Sequence, residues 1–591
     1  MKPKYIFFLF IIVCVTSCSK DWLKPDPLSF YTPGNVFVDK QGFEAALATC
    51  KKLMNAENHG LAPNDNYISA EFQYSDLAVE LRQSDFTKNT PSTSQRAPIL
   101  VLFLNAYEYI KNANTIISRI DDIEWAKQED KNRILSEALW FRSYWYYRLV
   151  NTYGDIPWVG EELNKPRYDY KSTKRPAILL RLQKDLEFAV ANLPVTAANG
   201  GDVTKGAANH LLAKVYLANN EFDKAIAAAT EVIDGPYALM TSRFGSDGGK
   251  AYYNVLWDLH RCENKSIAAN KESIYTTIER PDAPPGTWFS VIGTCAMRAY
   301  GPSYWKVPDS RGNRATNWNT RAGDSLGIGN GDVRVNHFYM YWLWKDGAYT
   351  WQNTPDLRRA NSNWIDMGEK EAEIITVNPI SPELGKPLTK AFFANLNDTV
   401  DTWFSWPFHK IYVPTPNWHQ PYGGQGDWYI FRLAETYLLR AEAYYYKGQL
   451  GSAADDINKV RSRAKASLIS SADVSLDLIF DERARELFAE EPRHSEMVRV
   501  SYILAGLNRD GYSLATISQK NWYHDRVMKY NHFYHPPIYS FWGNQATLHP
   551  NHMLWPIPQT VITANTLGRI NQNNGYDGAE LNEPPLETIP E

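Results

Sequence analysis

The 591-residue sequence contains few cysteines and, after Cys18, no apolar run that approaches the length of a membrane-spanning helix. The apolar run at the N-terminus, Tyr5 to Val15, has about eleven residues, against the roughly 20 that a helix needs to cross a bilayer. Cys50, Cys262 and Cys295 lie far apart in the sequence and do not form a disulfide framework. A chain of this length buries a core without disulfides. The sequence after Cys18 is therefore predicted to be soluble.

Basic residues are not in excess. Lysine and arginine total 62 against 66 aspartate and glutamate residues, which gives a formal net charge of −4 at pH 7. Removal of residues 1 to 17 takes away two lysines and no acidic residue, so the charge moves to −6. Proteins that bind nucleic acid carry a clustered basic patch, so this balance argues against a nucleic-acid partner.

The first residues predict export. Lys2 and Lys4 precede the short apolar run, and Val15-Thr16-Ser17-Cys18 follows it, which is the pattern of a secretory signal peptide covering residues 1 to 17. The last four residues also resemble a bacterial lipobox, in which the cysteine is acylated and becomes the first mature residue. Several acyl chains on Cys18 would hold a soluble protein at a membrane surface, because each buried CH₂ contributes about 0.8 kcal/mol. The alternative is an ordinary secreted protein.

No cofactor or metal site is predicted. Five of the twelve histidines fall in one tail segment, but Pro536, Pro537 and Pro550 interrupt that segment. No two of the five histidines share a helix face with a carboxylate. The glycine-rich loop Gly327 to Gly331 lacks the strand and helix that flank a phosphate-binding loop. The five tail histidines are His524, His532, His535, His549 and His552.

Amphipathic periodicity predicts a mainly α-helical fold. Helices are expected at Ile99 to Ile120, Lys131 to Val150, Pro176 to Leu193, Lys205 to Ala218, Glu221 to Asp234, Trp428 to Lys447, Leu450 to Ala466 and Leu476 to Glu490. Glycine, proline, asparagine and aromatic residues are dense between the fifth predicted helix, which ends at Asp234, and the sixth, which begins at Trp428. We therefore predict one unit from residue 18 to 591, with a helical part at about 36–236, a loop-rich insertion at about 237–427, a second helical part at about 428–518 and an irregular tail at 519–591.

A short spacing occurs twice among the predicted helices. Ala213, Tyr216 and Ala225 are separated by three and nine residues, and Ala441, Tyr444 and Ala453 repeat that spacing. Small residues let two antiparallel helices approach closely, and the tyrosine fills the groove between them, as in tetratricopeptide hairpins. The sequence therefore predicts a tetratricopeptide-like scaffold. Arg432, Arg440, Glu435 and Glu442, near one hairpin, are interpreted as structural ion pairs.

Several motifs occur in the order in which one known family carries them. They are Ala138-Leu139-Trp140-Phe141-Arg142, Tyr153-Gly154-Asp155-Ile156-Pro157, Trp428 to Ala443, Ala454 to Ala464, Asp481 to Leu487, Leu554-Trp555-Pro556-Ile557-Pro558 and Gln572-Asn573-Asn574-Gly575-Tyr576. In these motifs the chain resembles the SusD/RagB family of outer-membrane nutrient-binding lipoproteins. The resemblance implies a SusD-like fold, lipid anchorage at the cell surface and a SusC-like TonB-dependent transporter as partner. It also implies a non-catalytic role in the capture of an oligosaccharide.

Aromatic and polar residues in two loop regions are the candidate ligand contacts. A sugar ring presents C–H bonds that pack on an aromatic face, and its hydroxyls need polar partners at the rim. The first region, at 64–86, offers Asn64, Tyr67, Tyr74, Asp76 and Arg82; the second, at 288–318, offers Trp288, Tyr300, Tyr304, Trp305 and Trp318. The dense aromatic run Tyr339 to Trp351 is predicted to be a buried strand or hairpin, with an exposed turn at Trp344 to Gly347.

Two alternatives to oligosaccharide capture stay open. The same scaffold serves peptide and other nutrients, and the plentiful carboxylates leave a surface glycoside hydrolase possible by number alone. The sequence does not identify the glycan.

Overall fold

The computed structural model describes residues 33–60, 67–80, 86, 90–91, 97–198, 200–280, 282, 289, 293–316, 326–413, 424–535 and 545–589. Within these ranges, eight α-helices precede the loop-rich insertion. They are α1 (Pro33–Val36), α2 (Lys40–Leu53), α3 (Tyr67–Gln73), α4 (Ala97–Arg119), α5 (Gln128–Tyr153), α6 (Arg175–Asn192), α7 (Lys205–Ala218) and α8 (Phe222–Ile233). Local chemistry sets several of their ends. Thr204 caps α7 by accepting a hydrogen bond from the Ala207 amide, and Gly154 ends α5 with φ of 74°.

Ten further helices follow within the described residues. They are α9 (Val255–His260), α10 (Ala296–Tyr300), α11 (His337–Met340), α12 (Phe408–Ile411), α13 (Leu433–Tyr446), α14 (Leu450–Arg463), α15 (Leu476–Leu487), α16 (Arg493–Gly506), α17 (Trp522–Tyr530) and α18 (Gln559–Ala564). The prediction of a mainly α-helical fold is confirmed. Among the residues described, no helix combines the length and apolar character needed to span a bilayer.

Consecutive helices pack as hairpins, as the repeated spacing predicts. Helix α7 packs on α8, α13 packs on α14, and α8 packs on α13, so the two hairpins lie side by side although the insertion separates them in sequence. Ala213, Ala225, Ala441 and Ala453 are buried at these interfaces. The Trp140 indole links α5 to α7 by donating to the Ala207 carbonyl at 3.1 Å.

Strands are few and short in the part of the chain that the structure describes. They form antiparallel pairs: β1 (Ala78–Glu80) with β5 (Val333–Val335), β2 (Ile156–Pro157) with β3 (Ser172–Thr173), β4 (Ser273–Thr277) with β8 (Trp428–Arg432), and β6 (Glu371–Ile375) with β7 (Pro387–Thr389). The prediction of a helix from Trp428 was therefore wrong for its first five residues, which form β8. The strand joins the start of the second helical part to β4 within the insertion.

A second hydrophobic core lies in the loop-rich insertion and is rich in tryptophan. Trp344, Trp364 and Trp406 are buried in it, and it extends onto scaffold helices α3 and α15 through Phe72 and Phe488. The prediction of a strand in the run Tyr339 to Trp351 was wrong: α11 is followed by a 3₁₀ turn at Trp342–Trp344. The turn predicted at Trp344 to Gly347 lies two residues later, at Asp346 to Tyr349, where a bridge joins its ends, and Trp344 itself is buried.

Buried ion pairs connect the insertion to the scaffold. Arg432 donates to Glu272, Glu486 and Glu490 at 2.6, 2.7 and 2.5 Å, and all four side chains are at most 7% exposed. Cys50, Cys262 and Cys295 are free, as the sequence predicts, and all three are buried.

Candidate functional site

The first predicted binding region, at 64–86, is partly interior. Asn64 and Arg82 lie outside the described residues. Tyr67 is buried in α3, where its hydroxyl accepts from the Asn105 amide at 2.5 Å, and Tyr74 is buried against the Phe86 ring at 4.6 Å. Burial raises the pKa of the Tyr67 hydroxyl well above its usual value.

Asp76, also in this region, is fully buried. Its carboxylate accepts from the Arg493 guanidinium at 2.7 and 2.9 Å and from Arg526 Nε at 2.7 Å. Burial by itself raises the pKa of Asp76, but Arg493 and Arg526 outweigh it and hold the pKa below its usual value. The structure thus places Tyr67, Tyr74 and Asp76 in the interior, where they stabilise the fold and present almost no surface to a ligand.

Of the aromatic residues predicted in the second region, at 288–318, only Trp305 has accessible surface among those that the structure describes. Trp288 and Trp318 lie outside the described residues. Tyr300 is buried between Phe72 and Phe488, and burial raises the pKa of its hydroxyl well above the usual value. Tyr304 is buried and donates to the Gly327 carbonyl at 2.9 Å. Trp305, by contrast, is only partly buried.

We call Trp305, Lys306, Arg314 and Asp401 the Trp305 site. The Trp305 indole nitrogen donates to the Gly329 carbonyl at 2.9 Å, and the exposed Arg314 guanidinium lies 4.6 Å from the ring centroid. The Lys306 ammonium is 5.4 Å from the same ring and bonds to the Asp401 carboxylate at 2.7 Å. An indole with charged groups around it therefore stands at the surface in a fixed orientation.

The glycine-rich loop at 327–331 positions this indole. A Cβ on Gly329 would lie 2.1 Å from the Pro302 carbonyl oxygen, so only glycine lets the loop approach residues 301–305 this closely. The Gly331 amide also donates to the Gly301 carbonyl at 2.8 Å. The loop therefore has a packing role in the described structure, where it supports the Trp305 site.

The arrangement suits recognition of a polyhydroxylated ligand. An aromatic face packs against the C–H bonds of a sugar ring, and guanidinium and ammonium groups at its rim can bond to hydroxyls. Over the described ranges, no group of three or more histidine, cysteine or acidic residues is placed to hold a metal ion.

The comparisons with known proteins agree with the fold. The model described as the SusD family matches residues 314–576, and the model described as starch-binding associating with outer membrane matches residues 37–217. The chain belongs to the SusD family. The SusD-like protein P25 of Formosa agariphila is 23% identical over 97% of this chain and 99% of that protein.

Solved SusD-like structures share the fold of this SusD-family chain at low sequence identity. NanU of B. fragilis has a TM-score of 0.63 at 16% identity, covering 94% of this chain and 100% of that one. Surface glycan-binding protein A from Bacteroides fluxus has a TM-score of 0.62 at 17% identity, covering 91% of this chain and 100% of that one. Both likenesses support the fold assignment.

Proposed function

We propose that this SusD-family chain is a cell-surface lipoprotein that captures oligosaccharide and delivers it to a SusC-like TonB-dependent transporter. The observation that carries the proposal is the Trp305 site, an oriented, partly exposed indole among charged side chains. The description of the matching family model, starch binding in association with the outer membrane, supports it. So do the names of relatives that bind surface glycans.

Capture at this site needs no covalent chemistry. The sugar ring packs against the accessible part of the Trp305 indole, and its hydroxyls bond to the exposed Arg314 guanidinium. The Asp401 carboxylate is buried and holds the Lys306 ammonium beside the ring. Trp288 and Trp318 are proposed as further stacking surfaces. The side chains of Asn64 and Arg82 are proposed as further hydrogen-bonding partners of the sugar hydroxyls.

Truncation of Trp305 to alanine is expected to weaken glycan binding by about five- to 150-fold, because a stacked anchor contributes roughly 1 to 3 kcal/mol. A gel-shift panel that includes starch and laminarin selects the ligand, and calorimetry then measures affinity for wild type, Trp305→Ala and Trp288→Ala. The control is Trp406→Ala in the insertion core, which should lower the thermal midpoint sharply because Trp406 is fully buried. Unchanged affinity in both test variants, with intact folding, would reject this site.

The same samples test the hydrolase alternative. Prolonged incubation with the bound glycan should release no new reducing ends. The spacing Gly323-Asp324-Ser325-Leu326-Gly327 matches the Gly-x-Ser-x-Gly pattern, a feature that the sequence analysis missed. Its first three residues lie outside the described ranges, and the chain after Leu326 leads through the glycine-rich loop to β5 instead of a long helix. Turnover that is lost in Ser325→Ala would support an enzyme.

Replacement of Cys18 by alanine is expected to move the protein from the membrane fraction to the soluble fraction, since the acyl chains would be missing. Fractionation of cells with and without the transporter barrel measures this. Circular dichroism of the released protein should match the wild type. Membrane association that persists in the barrel-free cells would contradict the lipid anchor.

A further inference from the structure

Strand β5 carries a buried arginine that forms no ion pair with a carboxylate among the residues that the structure describes. Val333 and Val335 point into the insertion core, whereas Arg334 between them is 7% exposed. Its guanidinium lies 4.4 Å from the Phe404 ring centroid and 5.6 Å from that of Phe533. An arginine in such an apolar setting is normally paired with an acid, because an unpaired buried charge is costly.

The hydrogen bonds of Arg334 leave one nitrogen unused. Nε donates to the Val400 carbonyl at 3.0 Å, and Nη1 donates to the Val335 carbonyl at 2.5 Å and approaches the Met340 sulfur at 3.7 Å. Among the described residues, Nη2 has no hydrogen-bond partner, and it is not one of the fully buried atoms. A donor of a charged guanidinium is therefore available to an acceptor from solution.

The surroundings of Arg334 carry surplus positive charge. Burial lowers the pKa of Arg334 to about 10, although Tyr341 and Asp401 partly oppose this. Burial, followed by the Arg334 and Lys390 charges, lowers the pKa of His337 to about 4. The pKa of Lys390 is lowered by burial and by Arg334, while Glu369 partly opposes the shift.

Neutral imidazoles and an exposed indole lie next to this charge. His532, whose pKa is lowered to about 3 by burial, His337 and Arg334, stacks on His337 with ring centroids 4.2 Å apart and planes at 14°. The Trp342 ring, which is 59% exposed, has its centroid 6.4 Å from that of His337. We call Arg334, His337, Trp342, Lys390 and His532 the Arg334 cluster.

We propose that the Arg334 cluster binds a sugar that carries a carboxylate, with the carboxylate on the Arg334 guanidinium and the sugar ring against Trp342. A carboxylate supplies the negative charge that the cluster lacks and accepts the unused Nη2 hydrogen. Trp342 supplies the flat apolar face that a pyranose needs. This inference rests on the proposed capture of glycan and adds the acidic class of sugar.

The cluster adjoins the Trp305 site. Arg334 bonds to the carbonyl of Val400, and the next residue, Asp401, bonds to Lys306 and accepts from the Ser303 amide through its backbone carbonyl. One short segment therefore separates the two positions. A glycan chain that stacks on Trp305 can place an acidic unit at Arg334, so the two positions would bind different units of the same glycan chain.

Binding of glucuronate and glucose separates the carboxylate from the rest of the sugar. The purified protein is titrated with each sugar, and binding is monitored by saturation-transfer NMR. Glucuronate should bind about tenfold more tightly than glucose, which is the low end of the affinity gain expected for a hydrogen bond to a charged group. Trp342→Ala and Lys390→Gln should each reduce that preference at least about threefold, and Arg334→Gln should abolish it. Tyr252→Ala, at an even more exposed aromatic residue elsewhere, should leave that preference unchanged.

Equal affinity for the two sugars, or a preference that survives in folded Trp342→Ala and Lys390→Gln, would overturn the inference. These two side chains are at least partly exposed, so both variants are expected to fold even if Arg334→Gln does not. If either of these results is found while neutral oligosaccharide still binds in a Trp305-dependent way, the acidic site is rejected and the proposed capture of glycan stands. Loss of both would reject the two proposals together.

Discussion

Replacement of Arg432 by leucine is expected to lower the free energy of unfolding by about 3 to 5 kcal/mol, because it removes one cation from three buried carboxylates that then share Arg463, Arg358 and Lys410. Arg432 contacts Glu272, Glu486 and Glu490, and its own side chain is inaccessible to solvent. Burial by itself raises the pKa of Glu486, but Arg463, Arg432 and Arg358 hold it below its usual value. Removal of one of the three therefore weakens a network that joins β8 to α15.

Urea denaturation followed by circular dichroism measures this loss. Lys447→Ala is the matched control, since Lys447 pairs with Asp223 at the surface and such exposed pairs contribute about 0.2 to 1 kcal/mol. A similar small change for Arg432→Leu would show that the network relaxes without cost.

Replacement of Asp76 by alanine is expected to cost about 3 to 5 kcal/mol of unfolding free energy, because Arg493 and Arg526 are then left buried without their shared acid. Because the folded pKa of Asp76 lies below its ordinary value of 3.8, its contribution is fully present above that pH. The contribution is lost as the pH falls toward the folded pKa. The deficit of the variant should accordingly shrink in acid.

Thermal and urea unfolding between pH 3 and pH 7 test this dependence. Asp477→Ala is the control, because Asp477 also pairs with Arg526 but is a third exposed. Glycan affinity, measured at a temperature where the variant is folded, should stay unchanged. If the folded Asp76→Ala variant binds glycan more weakly than the wild type, Asp76 takes part in binding.

The helical scaffold could be predicted because its information is local. The periodicity gave the positions of α4 to α8 to within three residues at each end, and the alanines at the hairpin crossings, such as Ala213 and Ala441, are buried as expected. Strand β8 could not be predicted in the same way. Its residues continue a helical pattern, but pairing with β4, which is more than 150 residues away, gives them an extended conformation.

Site residues were harder to predict, because burial depends on distant partners. Tyr300 is covered by Phe488, and Asp76 is held by Arg493 and Arg526, none of which is close in sequence. The exposure of Trp342 was missed because its neighbours Tyr339 and Trp344 are core residues. Ligand roles for Asn64, Arg82, Trp288 and Trp318 remain predictions, since these residues lie outside the described ranges.

The pairing of β4 with β8 brings the two ends of residues 278–427 together at one two-stranded sheet. This long stretch therefore forms an excursion that leaves the helical scaffold at β4 and returns to it at β8, so the positions of its two ends are fixed. Length and sequence within the excursion can change while both points stay in place, since loop closure costs only about 0.6 kcal/mol for each doubling of length. The Trp305 site lies wholly within this stretch, so its residues can change while the α7–α8 and α13–α14 hairpins stay in place.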